Sequence, residues 1–345
     1  MDLLNYYDAV RKNFEEIKTL SGDLREYRFK IAGRFLVSIK FTSKHLASEL
    51  TKSFSHLSCS SSAKPDLTIL AWDSSMDRNR PAPYPFWNNS RGMLYRDFLS
   101  SDRVMVACDL EPNRLSLLDI KADTALYWID DADRMPYYEK GSPFRFILHW
   151  WLSGKRCQFI HAAAVGKKDG GVLLGGAGGS GKSTAALACL DSDLLYAGDD
   201  YCLVDLQDGL RVHSIYNTAK LKGAEDLKRF PKLADAVVNP RRTSGEKAIM
   251  FLGDIYREKM IKDFPLKAIL IPQYTGREDT VMRKAANEEA LRAIFPSTAI
   301  QARGYGVSDF YSVFRLVKQT PSYVLETGAD LEKIAGTISK FLSEA

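Results

Sequence analysis

A chain of 345 residues, 45% of them hydrophobic, exceeds what one small core requires and suits two domains. Lys and Arg number 48 against 43 Asp and Glu, and this excess of 5 is spread along the chain without a polybasic block, so neither nucleic acid nor an anionic membrane is indicated as a partner. The cysteines at 59, 108, 157, 189 and 202 are odd in number and form no C-x-x-C pair, which argues for free thiols in a reducing compartment and against a disulfide framework.

Residues 1–8 lack the positive region and apolar core of a signal peptide, and the most apolar aromatic stretch, 144–152, is about half the ~20 residues of a membrane span. A cytoplasmic protein is expected. Tyr6, Val10, Phe14 and Ile17 set a helical spacing over 5–20, and 27–31 with 35–41 read as a strand hairpin. A helical pattern over 45–57, a loop over 58–64 and a strand over 66–72 follow. Residues 74–91, with Pro81, Pro83 and Pro85, read as a long irregular excursion. Short strands at 104–108, 114–118 and 125–129, with a turn at 111–113, complete a β-rich α+β region expected to form a domain over 1–140.

The second domain is expected over 141–345. Ser142 and Pro143 read as the N-cap and first residue of a helix ending at Gly154. One strand over 158–165, a turn at 166–170 and a strand at 172–174 are most simply antiparallel, which predicts a mixed sheet. Residues 194–205 read as a strand interrupted by two carboxylates, 211–216 as a strand, 218–230 as a helix and 239–247 as a charged loop. A proline-bounded strand at 265–272, helices over 288–293, 310–318 and 331–342, and a strand at 322–326 close the chain.

The chemistry centres on residues 171–184, where an apolar strand enters a glycine-rich turn and a helix begins. Gly176, Gly181, Lys182 and Ser183 fit G-x-x-x-x-G-K-[ST], a phosphate-binding loop. Gly176, Gly178, Gly179 and Gly181 free the backbone to wrap a polyphosphate, with Ser180 and Thr184 completing the cradle. Lys182 is placed to hold the β- and γ-phosphates of a bound polyphosphate and the Ser183 hydroxyl to bind Mg²⁺. Asp199 and Asp200 form a second constellation, able to divide metal binding from proton acceptance if the chain bends at Gly198; on a regular strand they would face opposite ways. His161 reads equally as a hydrogen-bonded core histidine or an active-site group. Lys220, Arg241, Arg242 and Lys247 are candidates for clamping a phosphate or the acceptor.

His161, the loop, and Asp199-Asp200 seventeen residues after Lys182 together resemble the catalytic domain of HPr kinase/phosphorylase, which shares a P-loop fold with ATP-dependent phosphoenolpyruvate carboxykinase. The resemblance covers about residues 142–335 and includes the segments 159–165, 216–221, 295–298 and 321–326, similar to HPr-kinase-like proteins that include kinases of peptide-modifying clusters. It implies a mixed-sheet α/β kinase domain using ATP and Mg²⁺, with Asp199 as general base toward a serine hydroxyl, Asp200 as metal or structural partner, and His161 in the active site. The acceptor that the resemblance implies is a protein, peptide or small molecule bearing serine, and a homo-oligomer is compatible with the sequence. The loop ends in Lys-Ser-Thr where that family commonly carries Lys-Ser-Glu, and the Glu-Ile-Arg-Gly-Leu-Gly segment is absent, two departures that leave HPr as substrate and phosphorolysis as open questions. The rival readings are a nucleotide-binding regulatory protein with little kinase activity and a carboxykinase-like enzyme.

Overall fold

The structure, a computed structural model, describes residues 2–22, 24–74, 80–81, 96–110, 113–207, 209–301, 304 and 306–344. The Tyr6, Val10, Phe14 and Ile17 stripe forms helix α1 (Leu3–Ser21), opened by Asp2, whose carboxylate accepts from the Asn5 amide at 2.8 Å. Strands β1 (Arg25–Ile31) and β2 (Phe35–Phe41) pair antiparallel. Ser43 caps α2 (Lys44–Thr51), which tightens into a 3-10 turn over Lys52–Leu57. Then come β3 (Leu67–Asp73), β4 (Arg96–Ser100), β5 (Val104–Leu110), β6 (Asn113–Asp119) and β7 (Thr124–Ile129). The sheet order is β1-β2-β3-β7-β6-β5-β4, with β2/β3 and β3/β7 parallel and the other pairs antiparallel. The apolar face of α1 closes one side of the sheet against Leu70, Trp72, Leu117, Leu126 and Trp128. The excursion over 74–91 and the turn at 111–113 fall mostly outside the described residues.

The helix expected from Ser142 starts later. Ser142 instead follows α3 (Tyr137–Gly141), its N–H returning to the Tyr138 carbonyl at 3.1 Å, and α4 spans Arg145–Ser153. Phe144 takes φ 56° and buries its ring against Tyr127, with centroids 4.8 Å apart, so the turn that seats this ring displaces the helix start. The chain divides into two units, Met1–Lys52 with Ser58–Trp151 and Ser53–Leu57 with Leu152–Ala345.

The second unit contains β8 (Cys157–Ile160), β9 (Ala162–Lys167), β10 (Gly170–Gly175), α5 (Lys182–Ala188), β11 (Leu195–Gly198), β12 (Cys202–Asp205), β13 (Arg211–Ser214) and β14 (Thr218–Leu221). Next are α6 (Ala224–Lys228), α7 (Pro231–Ala234), β15 (Ala248–Phe251), α8 (Leu252–Ile255), β16 (Asp263–Tyr274) and β17 (Val281–Lys284). It ends with α9 (Asn287–Gln301), α10 (Val307–Gln319), β18 (Ser322–Thr327) and α11 (Leu331–Glu344). The large sheet runs β11-β9-β10-β16-β13-β12-β8, with β18 also on β16 and β17 on β18. β9/β10 is antiparallel and β10/β16 parallel, so the sheet is mixed and the fold is α/β. Alternation decides the layers. Val172, Leu174, Ala268 and Leu270 join the core beneath α5 and α11, while Leu173, Ile269 and Ile271 join the core beneath α9 and α10.

Four sequence expectations change here. The strand over 158–165 is two strands, broken at His161 because β8 pairs with β12 while β9 pairs with β10 and β11. The strand over 194–205 is broken in the same way at residues 199–201. Residues 218–221 form strand β14, paired with β15, and only Ala224–Lys228 is helical within the expected 218–230 helix. Ala219 and Leu221 enter the core beside Met250, a period-two pattern too short to stand out against the helical residues that follow. β16 continues through Pro265 and Pro272, both beyond its pairing with β10, where a backbone N–H on that side is not required.

Candidate active site

Strand β10 leads directly into residues 176–181 and then α5. Gly181, the residue before the helix, takes φ 98°, a region a side chain enters only with strain, and its carbonyl accepts from the Ala185 amide at 2.9 Å. Residues 177–179 form the exposed tip of the loop, and Thr184 lies in the first turn of α5, partly buried. Lys182 folds back beneath the tip: its Nζ donates to the carbonyls of Gly176 at 2.8 Å and Ala177 at 3.1 Å. Burial lowers the pKa of this ammonium, and the carboxylates of Asp199 and Asp200 oppose that shift. The Ser180 hydroxyl is buried with no hydrogen-bond partner among the described residues.

The two carboxylates arrive through a break in regular strand geometry. Pairing of β11 with β9 slips between Tyr196 and Gly198, and Asp200 adopts φ 70°. That conformation costs a non-glycine residue about 1–2 kcal/mol and removes the strand alternation that would send neighbouring side chains apart. Both carboxylates consequently reach Lys220. Asp199 accepts from the Ser183 hydroxyl at 3.0 Å, from the Asp200 amide at 2.9 Å and from the Lys220 amide at 3.4 Å. Asp200 accepts from the Lys220 ammonium, and lies 3.7 Å from His161 Nε2 and 4.0 Å from Lys247 Nζ.

These surroundings drive the two acids in opposite directions. Burial, then the charge of Asp200, raises the Asp199 pKa against the lowering effect of the Ser183 hydroxyl. Burial also acts to raise the pKa of Asp200, but Lys220, followed by His161 and Lys247, holds it well below the ordinary carboxylate range. The site therefore contains one carboxyl inclined to hold a proton beside one held ionised.

His161 occupies the break between β8 and β9. Its amide donates to Thr298 Oγ1 at 3.1 Å, and the Gln301 amide nitrogen lies 3.3 Å from its Nε2. The Tyr201 hydroxyl donates to Gln301 in turn. Thr298, Gln301 and Tyr201 were not singled out from sequence as site residues. Thr298 lies in the 295–298 segment that carries part of the resemblance, whereas the Gln301–His161 contact spans 140 residues and has no local signal.

The structure thus gathers His161, Lys182, Ser183, Asp199, Asp200 and Lys220. Lys247 reaches them from the 239–247 loop, which Asn239 closes by donating to the Lys247 carbonyl and accepting from the Ile249 amide, each at 2.9 Å. Arg241 is exposed and Arg242 partly so, and among the described residues no ion pair joins either to the carboxylates.

No protein-family model matches the chain, and no curated protein matches it. The structure is similar to that of the Hpr(Ser) kinase/phosphatase from Coxiella burnetii, with 12% sequence identity, coverage of 55% of this chain and 99% of that chain, and a TM-score of 0.31. Among the described residues, no helix is long and apolar enough to cross a membrane, and no group of three or more His, Cys, Asp or Glu is disposed to hold a metal ion.

Proposed function

We propose that the protein is an ATP- and Mg²⁺-dependent kinase that transfers the γ-phosphoryl group to a serine hydroxyl of a protein, peptide or small molecule. The observation carrying this reading is the Ser183–Asp199 hydrogen bond at 3.0 Å, which joins the end of the glycine loop to a pair of adjacent carboxylates with opposed protonation tendencies. The donor set suits the proposed ligands: Ser183 and Asp200 offer hard oxygens, and Mg²⁺ on a nucleotide commonly takes only one or two protein carboxylates besides phosphates and water. The Ser180 hydroxyl, buried without a partner, offers a further hydrogen bond at the loop. When bound, Mg²⁺ supplies neutralisation of phosphate charge.

The residues then divide the work. Lys182 exchanges its bonds to the Gly176 and Ala177 carbonyls for phosphate oxygens, and the loop amides hold the polyphosphate. Asp199 accepts the proton of the attacking serine hydroxyl as the new O–P bond forms and the bond from the γ-phosphorus to the ADP oxygen breaks. Its raised pKa brings it toward the operating range of a general base. Lys220 and His161 keep Asp200 ionised and oriented. Arg241 and Arg242 are proposed to meet the acceptor or the phosphates from the exposed loop.

The test is label transfer from ATP to candidate acceptors in an extract, with products identified by mass spectrometry. The expected outcome is that Lys182→Ala and Asp199→Asn each lower transfer by about 100-fold or more. Transfer equal to that of the native chain in both variants overturns the assignment.

A further inference from the structure

A second cleft in the same unit, of ≈ 340 Å³, is lined by Ser55, His56, Gly253, Arg257, Met260 and Lys262, with no carboxylate in its lining among the described residues. Arg257 and Lys262 are exposed and make no ion pair among the described residues, so two unneutralised cations share one concave surface. His56 adds a polar group. Its Nε2 lies 2.7 Å from Ser214 Oγ, while its Nδ1 is buried without a partner among the described residues. Burial, then Lys262, depresses this imidazole to a pKa of about 3, so it stays neutral and presents one N–H and one lone pair.

The cleft is held by specific packing. A Cβ at position 253 would lie 2.4 Å from Asn217 Nδ2 and 2.9 Å from Ser55 Oγ, so glycine lets this wall close on the Asn217–Ser55 hydrogen bond of 2.8 Å. The Ser214 amide donates to the Lys262 carbonyl at 2.8 Å, which ties the His56 and Lys262 walls through one residue. Met260 bridges to Tyr196 on β11, and Asn217 directly precedes β14, so the walls adjoin the strands that lead to Asp199 and carry Lys220.

We propose that this cleft binds a small phosphate-type dianion, as free phosphate or a phosphate monoester, separately from the glycine loop. A guanidinium fork, an ammonium, a serine hydroxyl and an imidazole are the donors that recognise tetrahedral oxyanions. The volume accommodates one compact anion rather than a polymer. The inference does not rest on the kinase reading, because it concerns binding at residues that take no part in transfer.

The test is calorimetric titration of inorganic phosphate, at low ionic strength, into full-length protein carrying Lys182→Ala, which removes the loop's phosphate-holding lysine. Binding persists in this protein, and adding Arg257→Ala with Lys262→Ala weakens it by about tenfold or more. Arg257→Lys with Lys262→Arg, which keeps both charges, retains it. Glycerol phosphate competing for the same site assigns the ester class, and failure to compete assigns free phosphate. Absence of phosphate binding to the Lys182→Ala protein, or equal affinity after both alanine substitutions, overturns the proposal. Because Arg257 and Lys262 are exposed, their replacement leaves the core intact, and an unchanged melting curve verifies this.

Discussion

Asp199 and Asp200 share a peptide bond yet experience opposite electrostatics, and the difference has measurable signs. The fold raises the Asp199 pKa, so folded protein holds that proton more tightly than unfolded chain, and stability falls as pH rises through the folded value. Asp199→Asn removes this penalty. Its melting temperature relative to the native chain is expected to become more favourable as pH rises above the ordinary carboxylate range, even as activity is lost. For Asp200 the sign reverses: its depressed pKa contributes stability above the ordinary carboxylate range, lost as pH falls through the folded value. Lys220→Met leaves that carboxylate without its closest cation and is expected to cost about 3–5 kcal/mol near neutral pH. The cost should shrink in acid, where Asp200 takes up a proton, and denaturant titrations at two pH values measure it. Lysine, histidine and paired aspartates were visible in the sequence; their division into protonated and ionised partners depends on which charges surround each one.

At the scale of elements, the loop between Asn239 and Lys247 is a charged excursion fastened at its base. Asn239→Ala removes two hydrogen bonds, at an expected cost of about 1–2 kcal/mol, and hydrogen exchange of residues 240–247 should accelerate while exchange in β10 and β16 is unchanged. Unchanged exchange in the loop would show that Asn239 does not restrain it. β14 illustrates a limit of pattern reading. Thr218–Leu221 precedes residues with real helical character, and the pairing with β15 that makes it a strand involves residues 248–251. Had it been helical, Lys220 would lack the backbone contact to Asp199 that now accompanies its side-chain contact to Asp200. His161 is similar: the strand containing it looked continuous because the change of sheet partner at residue 161 leaves no local trace.

For the molecule as a whole, two proposed anion sites in one unit imply separable stabilisation. Inorganic phosphate at about 100 times its dissociation constant for the cleft is expected to stabilise the folded state by about 2.7 kcal/mol, seen as a raised melting temperature in the Lys182→Ala protein. Arg257→Ala with Lys262→Ala, by weakening binding about tenfold or more, should cut that stabilisation to about 1.4 kcal/mol or less in the same background. Both proposed sites depend on the sheet whose alternate residues feed two helical layers, because the strand ends and their connections set the distances between charged groups.

The glycine loop and its flanking strand and helix were determined by the sequence itself, since residues 171–184 contain the apolar run, the glycines and the Lys182-Ser183 ending within a single local segment. The α1 stripe and most short strands were legible for the same reason: periods of 3.6 and 2 are properties of neighbouring residues. Tertiary structure alone decided that Asp200 turns into a left-handed conformation, that Lys220 answers it from β14, that Gln301 reaches His161, and that Ser55, Arg257 and Lys262 share a cleft. Those relations join segments far apart in the chain, where the geometry of sheet pairing and packing, rather than sequence period, determines which charges meet.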